Sequence, residues 1–321
     1  MKKTPLNNLK IVVVIPYYNA CNHIANVVAK LPSYITVVII VDDVSKEILP
    51  IEEIKSCIKP TTELIVLTND INLGVGGATK RGFQYAITMN ADIVIKVDAD
   101  DQMDTSYIPH LLKPLIKNKA EMSKGNRFRD LQALKKMPFT RRFGNLFLSF
   151  LTKIATGYWN NFDPTNGFIA VKVSVLKKID INKLSNRYFF ETSLISELYF
   201  VKARIKDVAM PAIYGDEKSS MNLWTIPLSF SFRLSKLFIK RLFKQYLLYD
   251  FGLGSIYLII GLPLFLFGVI FGTYEWIYYA SMNSPAPTGT IMVVALTVIL
   301  GFQLLLQGLQ YDVINAPKAK E

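Results

Sequence analysis

The chain has 321 residues, of which 51% are hydrophobic, and its mean hydropathy is +0.27. This composition excludes an intrinsically disordered protein, and two cysteines are too few for a disulfide scaffold or a cysteine-rich zinc site. The 37 Lys and Arg residues exceed the 25 Asp and Glu residues and give a net charge of +12. Such an excess favours phosphates, nucleic acid or an anionic membrane surface as partners.

Short apolar runs in the first hundred residues predict strands that are buried on both faces. These runs are Ile11–Ile15, Val37–Val41, Leu64–Leu67 and Ile93–Val97. The segments between them predict helices, which we place at Asn22–Leu31, Ile51–Ile58 and Val75–Met89. Alternating strands and helices indicate an α/β fold with a mainly parallel sheet and helices on both faces. The first run is too short for a signal-peptide core, so we expect the N-terminal domain in the cytosol.

The fourth apolar run is followed directly by Asp98, Asp100 and Gln102. Open parallel sheets bind ligands at the carboxyl ends of their strands. Carboxylate and amide oxygens suit Mg²⁺ or Mn²⁺, which leave coordination positions for phosphate oxygens. The motif therefore predicts a divalent metal site. The alternative is a polar loop that caps the next helix, with Asp104 or Thr105 as the N-cap residue.

Two uncharged apolar stretches near the C-terminus predict a transmembrane hairpin. Phe251–Gly272 and Thr288–Leu309 would each extend roughly 30 Å as a helix, which is the thickness of the hydrocarbon core. We expect the connection between them to hold Glu275 and several turn-forming residues. The alternative is a pair of buried helices in a soluble protein.

Basic residues flank the hairpin and are missing from the connection. They are Arg233, Lys236, Lys240, Arg241 and Lys244 before it and Lys318 and Lys320 after it. The positive-inside rule predicts a multi-pass protein of the inner (cytoplasmic) membrane, with the N-terminal domain and both termini in the cytoplasm. By the same rule, Trp276, Tyr278 and Tyr279 would lie at the outer interface of the membrane.

The segment Pro227–Tyr249 alternates basic and apolar residues at helical spacing. It predicts an amphipathic helix on the inner leaflet, with an ordinary surface helix as the alternative. The expected organisation is a cytosolic domain over 1–225, a juxtamembrane helix over 226–250, the hairpin over 251–310 and a tail over 311–321.

Small and polar residues within the hairpin predict close contacts between helices. Gly268 and Gly272 permit close helix approach, and Gln303 and Gln307 can hydrogen-bond between helices. We therefore expect a homo-oligomer. The alternative is a simple bend near Pro263, with the glycines incidental.

Several motifs, in this order along the chain, resemble those of family 2 glycosyltransferases with the GT-A fold. They are Ile15–Asn19, Val41–Ser45, Asn72–Ala78 and Asp98–Gln102. Later motifs are similar to those of polyprenyl-phosphate glycosyltransferases, which include dolichol-phosphate mannose synthases. These are Gly125–Phe128, Arg141–Asn145, Asp163–Phe168 and Tyr214–Ser219. The resemblance covers about residues 10–245, and it departs from the usual pattern at Ala20, Val44 and Asp101.

The resemblance implies a membrane-bound enzyme that transfers a hexose from a UDP- or GDP-sugar to undecaprenyl or dolichyl phosphate with inversion. The lipid-linked sugar would serve cell-envelope glycan or glycoprotein assembly. The resemblance assigns nucleotide binding to Pro16, Tyr18, Asn19, Asp42, Asp43, Asn72, Gly74 and Asp98. It assigns Mg²⁺ or Mn²⁺ to Asp98, Asp100 and Gln102.

Further roles follow from the later motifs of the family. Binding of the acceptor phosphate or the diphosphate is implied for Arg127, Arg141, Arg142 and Lys218. Sugar binding is implied for Asn166 and Glu191, and catalytic roles are implied for Asp100, Asp163 and Arg127. Asp163 would orient the acceptor or the sugar, or act as a base, and the sequence does not choose between these roles.

Other functions remain open. A glycosyltransferase that acts on a lipid or glycan hydroxyl needs a general base, whereas a phosphate acceptor is already anionic. A membrane-anchored scaffold that binds nucleotide sugars is the second alternative. Nucleic-acid binding explains the charge but not the apolar stretches, so no nucleic-acid partner is expected.

Overall fold

The structure, a computed structural model, describes residues 8–129, 139–211 and 225–320. Within these ranges the strands are β1 Ile11–Tyr17, β2 Val37–Asp42, β3 Glu63–Thr68, β4 Ile93–Lys96, β5 Met122–Asn126, β6 Ile169–Lys172 and β7 Ile205–Ala209. The helices are α1 Cys21–Ala29, α2 Ile51–Cys57, α3 Val75–Thr88, α4 Ile108–Ile116, α5 Phe139–Thr156, α6 Val173–Leu176, α7 Phe190–Phe200, α8 Thr225–Leu242, α9 Leu253–Ser281 and α10 Thr288–Ile314. A π-helical segment, Phe243–Tyr249, follows α8.

The chain divides into two compact units. One comprises Met1–Ser235 with Pro317–Glu321, and the other comprises Lys236–Ala316.

A seven-stranded sheet in the order β3-β2-β1-β4-β6-β5-β7 forms the centre of the first unit. The pairs β1–β2, β1–β4, β2–β3 and β5–β7 are parallel, whereas β6 runs antiparallel to β4 and β5. The expectation of a mainly parallel α/β sheet is confirmed. The first four strands and first three helices lie close to their predicted bounds.

Both faces of the sheet are covered by helices. On one face Val14 of β1 packs in a cluster with Phe83 of α3 and Phe190 of α7. On the other face Val13 packs in a cluster with Ile24 of α1. Because successive side chains of a strand alternate between the faces, a strand made almost entirely of Val and Ile is buried on both. The polar residues that follow β1, β2 and β4 lie beyond these apolar layers, at the carboxyl ends of the strands.

In the second unit, α9 and α10 are both long and apolar enough to cross a membrane, with a mean hydropathy of 2.3 in their most apolar windows. The first helix is longer than expected, because it continues to Ser281 and includes Glu275 and Trp276. The prediction had placed Glu275 in the connection because it is the first charge after the apolar run. A single charge does not end a helix when no Gly or Pro follows it, so the connection is shorter.

The glycines of α9 pack against α10 of the same chain. A Cβ atom at Gly268 would lie 2.6 Å from Thr297 Oγ1, and one at Gly272 would lie 2.6 Å from Val294 Cγ1. The close helix approach that these glycines permit is thus used within one hairpin. A homo-oligomer stays a prediction.

Arg241 is an exception among the basic residues that precede the hairpin. It belongs to the predicted amphipathic helix on the inner leaflet, but it is buried and its Nη1 lies 2.6 Å from Asp312 Oδ1 near the end of α10. The Tyr246 hydroxyl donates a hydrogen bond to the same oxygen at 2.6 Å. A carboxylate in the last turn of the second apolar helix compensates this charge, and no sequence pattern pairs the two residues.

Candidate active site

The ends of three adjacent parallel strands gather many of the predicted site residues. Tyr18 and Asn19 follow β1, Asp43 follows β2, and the Asp98–Gln102 segment follows β4. This edge is where a parallel sheet binds ligands, because neighbouring connections diverge there and leave a crevice.

The carboxylate of Asp43 organises the glycine-rich turn that precedes α3. It is buried and accepts hydrogen bonds from Asn69 Nδ2 at 2.6 Å, Leu73 N at 2.9 Å and Gly74 N at 2.6 Å. Asn72 Nδ2 donates to the Asp43 carbonyl at 3.0 Å. Gly74 has a φ of +82°, which favours glycine at this position. Asp43 therefore shapes the turn, and its contact with a nucleobase stays a prediction.

The loops after β1 and β2 are joined by hydrogen bonds. Asn19 donates its backbone N–H to Ser45 Oγ at 3.0 Å, and its side-chain oxygen accepts from Lys46 N at 2.9 Å. Asp42 Oδ1 accepts from Ser45 N at 2.9 Å. Pro16 is buried within β1, whereas Tyr18 is exposed beside these loops. An exposed aromatic ring on a fixed loop offers a surface on which a base can stack.

Asp98 and Asp100 are partly exposed, and the oxygens of these two carboxylates are hard ligands that fit a divalent cation. Asp100 Oδ1 accepts a hydrogen bond from Gln102 N at 3.1 Å, which fixes the turn. The carboxylate of the adjacent Asp101 pairs with Lys30 of α1, and its Oδ2 lies 2.6 Å from Lys30 Nζ. Among the residues that the structure describes, no group of three or more His, Cys, Asp or Glu side chains is arranged to hold a metal. A two-carboxylate site would be completed by an amide, water or substrate phosphate oxygens.

Lys96, which the sequence analysis did not single out, forms a buried charge cluster at the end of β4. Its Nζ lies 2.5 Å from Asp98 Oδ1 and 3.3 Å from Glu191 Oε1, and its side chain is 1% exposed. Burial alone would lower the pKa of Lys96, but the two carboxylates raise it above the ordinary value. Burial raises the pKa of Glu191, and the attraction of Lys96 opposes this shift. Lys96 therefore holds two predicted site residues, Asp98 and Glu191, at one point.

Gly167 covers this cluster closely. A Cβ atom at this position would lie 2.5 Å from Lys96 Nζ, 3.0 Å from Asp98 Oδ2 and 3.2 Å from Glu191 Oε1. Only a residue without a side chain allows such an approach. The Asp163–Phe168 motif thus lies next to the charge cluster.

Asp163 and Arg127 form a bidentate ion pair within the same unit. Arg127 Nε lies 2.8 Å from Asp163 Oδ2 and Nη2 lies 2.8 Å from Oδ1, while Asn166 Nδ2 donates to Asp163 Oδ2 at 3.3 Å. Asp163 is buried, whereas the Arg127 side chain is 41% exposed. Burial would raise the pKa of Asp163, but Arg127 lowers it below its usual range. Asp163 is thus a charged anchor for the guanidinium of a partly exposed arginine side chain.

A second buried lysine, Lys124, contacts the loop that contains Asp163. Lys124 Nζ donates to the carbonyls of Phe162 at 2.5 Å and Asp163 at 2.6 Å. Asp207 of β7 accepts from Phe162 N at 2.7 Å and from Asn126 Nδ2 at 2.9 Å. These bonds hold the loop that contains Asp163, whose φ is +55°. Lys124 directly precedes the Gly125–Phe128 motif, which was the one signal for it in the sequence.

Three predicted phosphate-binding residues are not placed relative to this site. Arg141 and Arg142 lie in the first turn of α5, but their side chains are outside the described residues. Lys218 also lies outside the described residues. Their roles stay predictions.

The chain belongs to glycosyl transferase family 2, whose family model matches residues 12–180. It is 32% identical over 218 residues to the UDP-N-acetylglucosamine–dolichyl-phosphate N-acetylglucosaminyltransferase of Methanococcus voltae, across 64% of this chain and 86% of that protein. It is 23% identical over 219 residues to the undecaprenyl-phosphate mannosyltransferase of Micrococcus luteus, across 66% of this chain and 88% of that protein.

The fold is similar to that of glucosyl-3-phosphoglycerate synthase from Mycobacterium tuberculosis, crystallised with Mn²⁺, UDP and glucosyl-3-phosphoglycerate. The TM-score is 0.53 at 16% identity, across 75% of this chain and 84% of that one. The expected GT-A-like fold is confirmed, and the protein is a family 2 glycosyltransferase.

Proposed function

We propose that this protein transfers a hexose from a nucleoside-diphosphate sugar to a polyprenyl phosphate. The observation that carries the proposal is the partly exposed side chain of Arg127, whose guanidinium buried Asp163 holds in a bidentate pair. A guanidinium fork matches phosphate oxygens and keeps its charge at every physiological pH. The two apolar helices and the relatives that act on dolichyl and undecaprenyl phosphate support a lipid phosphate as the acceptor.

The proposed reaction is a single in-line displacement with inversion. A phosphate oxygen of the acceptor forms a bond to the anomeric carbon while the bond from that carbon to the diphosphate oxygen breaks. The bonding electron pair leaves with the nucleoside diphosphate. Because the attacking oxygen is already anionic, no proton has to be removed from it.

The lowered pKa of Asp163 supports an orienting role for this residue rather than a role as a base. A carboxylate that is paired with a guanidinium is a poor proton acceptor near neutral pH. Asp163 would set the position of Arg127, and Arg127 would hold the acceptor phosphate. Arg141, Arg142 and Lys218 would add positive charge around the two phosphate groups.

The donor would bind at the ends of β1, β2 and β4. Tyr18, Asn19 and the turn organised by Asp43 would hold the nucleoside, with Asn166 and Glu191 near the sugar. Asp98, Asp100 and Gln102 would hold Mg²⁺ or Mn²⁺, which neutralises charge on a leaving diphosphate when bound. Lys96 would keep Asp98 in place.

The test is transfer by the full-length protein in lipid nanodiscs, with undecaprenyl or dolichyl phosphate and a panel of UDP- and GDP-sugars. With Mg²⁺ or Mn²⁺ present, we expect a glycosylated lipid phosphate that mass spectrometry identifies. Asp100→Asn should abolish turnover. The matched control is Asp101→Asn at the neighbouring carboxylate, which pairs with Lys30 and should leave most of the activity.

Polyprenol without phosphate is the control acceptor. Transfer to polyprenol in preference to polyprenyl phosphate would contradict the proposal and indicate a hydroxyl acceptor. Donor binding without any product would indicate a nucleotide-sugar-binding scaffold.

A further inference from the structure

The glycine-rich turn that precedes α3 uses several of its amide groups within the protein. Such a turn binds phosphate when its backbone N–H groups point at the ligand. Here the amides of Leu73 and Gly74 donate to the carboxylate of Asp43. The amide of Gly77 donates to the Asn186 carbonyl at 2.8 Å. Three donors of the turn are therefore already bonded, and charge for a phosphate has to come from elsewhere.

The glycines of this turn make room for residues 185–188, which lead into α7. A Cβ atom at Gly74 would lie 3.0 Å from Arg187 Cγ, and one at Gly76 would lie 2.7 Å from Phe190 Cβ. Packed carbon atoms do not approach so closely, so the contact requires residues without side chains at both positions. The stem of Arg187 therefore lies directly against the turn that Asp43 organises.

The same stretch of chain also reaches the buried charge cluster. Glu191 follows Arg187 by four residues, and its Oε1 lies 3.3 Å from Lys96 Nζ, which also contacts Asp98. The Phe190 amide donates to the Arg187 carbonyl at 2.9 Å and joins the two positions in one turn of chain. Arg187 thus contacts the turn proposed to hold the nucleoside and is joined to the cluster beside the proposed metal carboxylates. In a nucleotide sugar, the diphosphate is the group that connects the nucleoside to the sugar.

The charge at this edge of the sheet is unfavourable for a diphosphate unless cations oppose it. Four carboxylates lie at the carboxyl ends of β2 and β4, namely Asp42, Asp43, Asp98 and Asp100. Lys96 is buried against two carboxylates and has no charge to spare for a ligand. Arg187 is exposed, and its side chain makes no hydrogen bond or ion pair with residues 8–129, 139–211 or 225–320. It is a cation that a ligand can pair with.

We propose that Arg187 binds the diphosphate of the nucleoside-diphosphate sugar. The inference deepens the proposed function and rests on it for the identity of the ligand. A guanidinium fork matches phosphate oxygens and stays charged at every physiological pH. Negative charge on the diphosphate grows as its bond to the anomeric carbon breaks, so a fixed cation at this place stabilises the leaving group. The acceptor phosphate offers the same chemistry, but the contact with the turn at Gly74 favours the donor.

The first measurement is binding of UDP and GDP to the full-length protein in lipid nanodiscs with Mg²⁺, by isothermal titration calorimetry. Arg187→Gln removes the charge but keeps the Cβ, Cγ and Cδ atoms, so the packing against Gly74 is retained. The Kd of the nucleoside diphosphate should rise about tenfold, the equivalent of one charge-assisted hydrogen bond. Arg187→Lys keeps the charge without the fork and should give an intermediate Kd.

Lys183→Gln is the matched control. It removes an exposed cation four residues earlier in the chain, one that pairs with Asp180. Its Kd should equal that of the unmodified protein, and both glutamine variants should melt at the temperature of the unmodified protein. An unchanged Kd for Arg187→Gln would overturn the proposal. A melting temperature that falls together with the affinity would also overturn it, because the role of Arg187 would then be structural.

Binding and turnover distinguish this inference from the proposed function. Binding of UDP or GDP that depends on Arg187, in a protein that transfers no sugar, would count against the proposed function and support the diphosphate site. Unmodified protein that binds neither nucleotide would overturn both.

The second measurement separates the donor from the acceptor. With the donor that the panel of UDP- and GDP-sugars identifies, Arg187→Gln should raise KM for the donor about tenfold and lower kcat. KM for polyprenyl phosphate should stay unchanged. A raised KM for polyprenyl phosphate with an unchanged KM for the donor would assign Arg187 to the acceptor phosphate and contradict the proposal.

Discussion

Val44 has a backbone conformation that β-branched residues rarely adopt. Its φ is +61°, and this left-handed region costs an L-residue about 1–2 kcal/mol. The side chain is 41% exposed, so its packing contributes little. Val44→Gly should raise the free energy of unfolding by about 0.5–1 kcal/mol, after the greater chain entropy of glycine is subtracted.

Thermal unfolding in detergent measures this effect. Val44→Ala is the matched control, because it removes the branched side chain but keeps the Cβ atom, and it should gain clearly less. A lower melting temperature for Val44→Gly would show that the valine side chain stabilises the loop.

Asp163→Asn should weaken both stability and turnover. The lowered pKa of Asp163 means that its stabilising effect is present above the ordinary value of about 4 and is lost as pH falls through the lower folded value. At neutral pH we expect a loss of about 1–3 kcal/mol in the free energy of unfolding.

Unfolding measured from pH 7 down to pH 3 checks the sign. The difference between the unmodified protein and Asp163→Asn should be constant above about pH 5 and shrink below about pH 4. A difference that stays constant to pH 3 would mean that the Arg127 pair does not stabilise the fold. Activity should fall through a higher KM for the acceptor as Arg127 loses its anchor.

Lys96→Met should destabilise the first unit by about 2–4 kcal/mol, because it leaves buried Glu191 and partly exposed Asp98 without their counter-charge. Adding Glu191→Gln should recover part of that loss, since one buried charge is then removed. Thermal unfolding of the single and double variants measures the coupling. If the double variant loses the sum of the stabilities that the two single variants lose, the three charges do not act as a cluster.

The two buried lysines also show where the sequence was least informative about the site. Asp98 and Asp100 were recognisable because they follow an apolar run. Lys96 and Lys124 lie inside strands, and a hydrophobic pattern assigns no role to a charged residue there. Their partners Glu191 and Asp207 are distant along the chain, so the pairing depends on tertiary structure.

At the scale of elements, the same cause separates the predicted strands β1 to β4 from β5 and β7. β1 to β4 were predicted because their apolar runs fill both faces of a buried sheet. β5 and β7 carry Ser123, Lys124, Asn126 and Asp207, which are buried but satisfied by one another and by backbone groups. Strands whose burial rests on hydrogen bonds have no hydrophobic signature.

The hairpin depends on close backbone approach at its glycines. A Cβ atom at Gly301 would lie 2.5 Å from Phe265 N and 2.7 Å from Phe265 Cα, whereas one at Gly289 of the same helix would meet nothing within 4 Å. Gly301→Ala should therefore destabilise the hairpin by about 1–3 kcal/mol, because backbone atoms have to move apart.

Gly289→Ala is the matched control and should be neutral or slightly stabilising, since alanine favours the helix. Unfolding of the two variants in the same detergent compares them directly. Equal stability of the two variants would mean that the two helices can move apart at Gly301 without a loss of stability.

At the scale of the whole molecule, the basic flanks predict that both ends of the hairpin face the cytoplasm. In a background with Cys21→Ser and Cys57→Ser, Asn283→Cys lies in the exposed connection between α9 and α10. A membrane-impermeant maleimide added to intact cells should label it, whereas Glu52→Cys should be labelled only after permeabilisation. The opposite pattern would reverse the predicted orientation.

The buried ammonium groups of Lys96 and Lys124 can report chemically on whether the first unit is folded. Acylating reagents require an accessible, deprotonated amine, and the side chains of Lys96 and Lys124 are each only 1% exposed. Both lysines should stay unmodified while the first unit is folded and should be acylated once it unfolds. Exposed Lys206 should be acylated in either state. Peptide mass spectrometry of acylated cells would thus record how much of the first unit is folded in the cell, without purification and before any substrate is known.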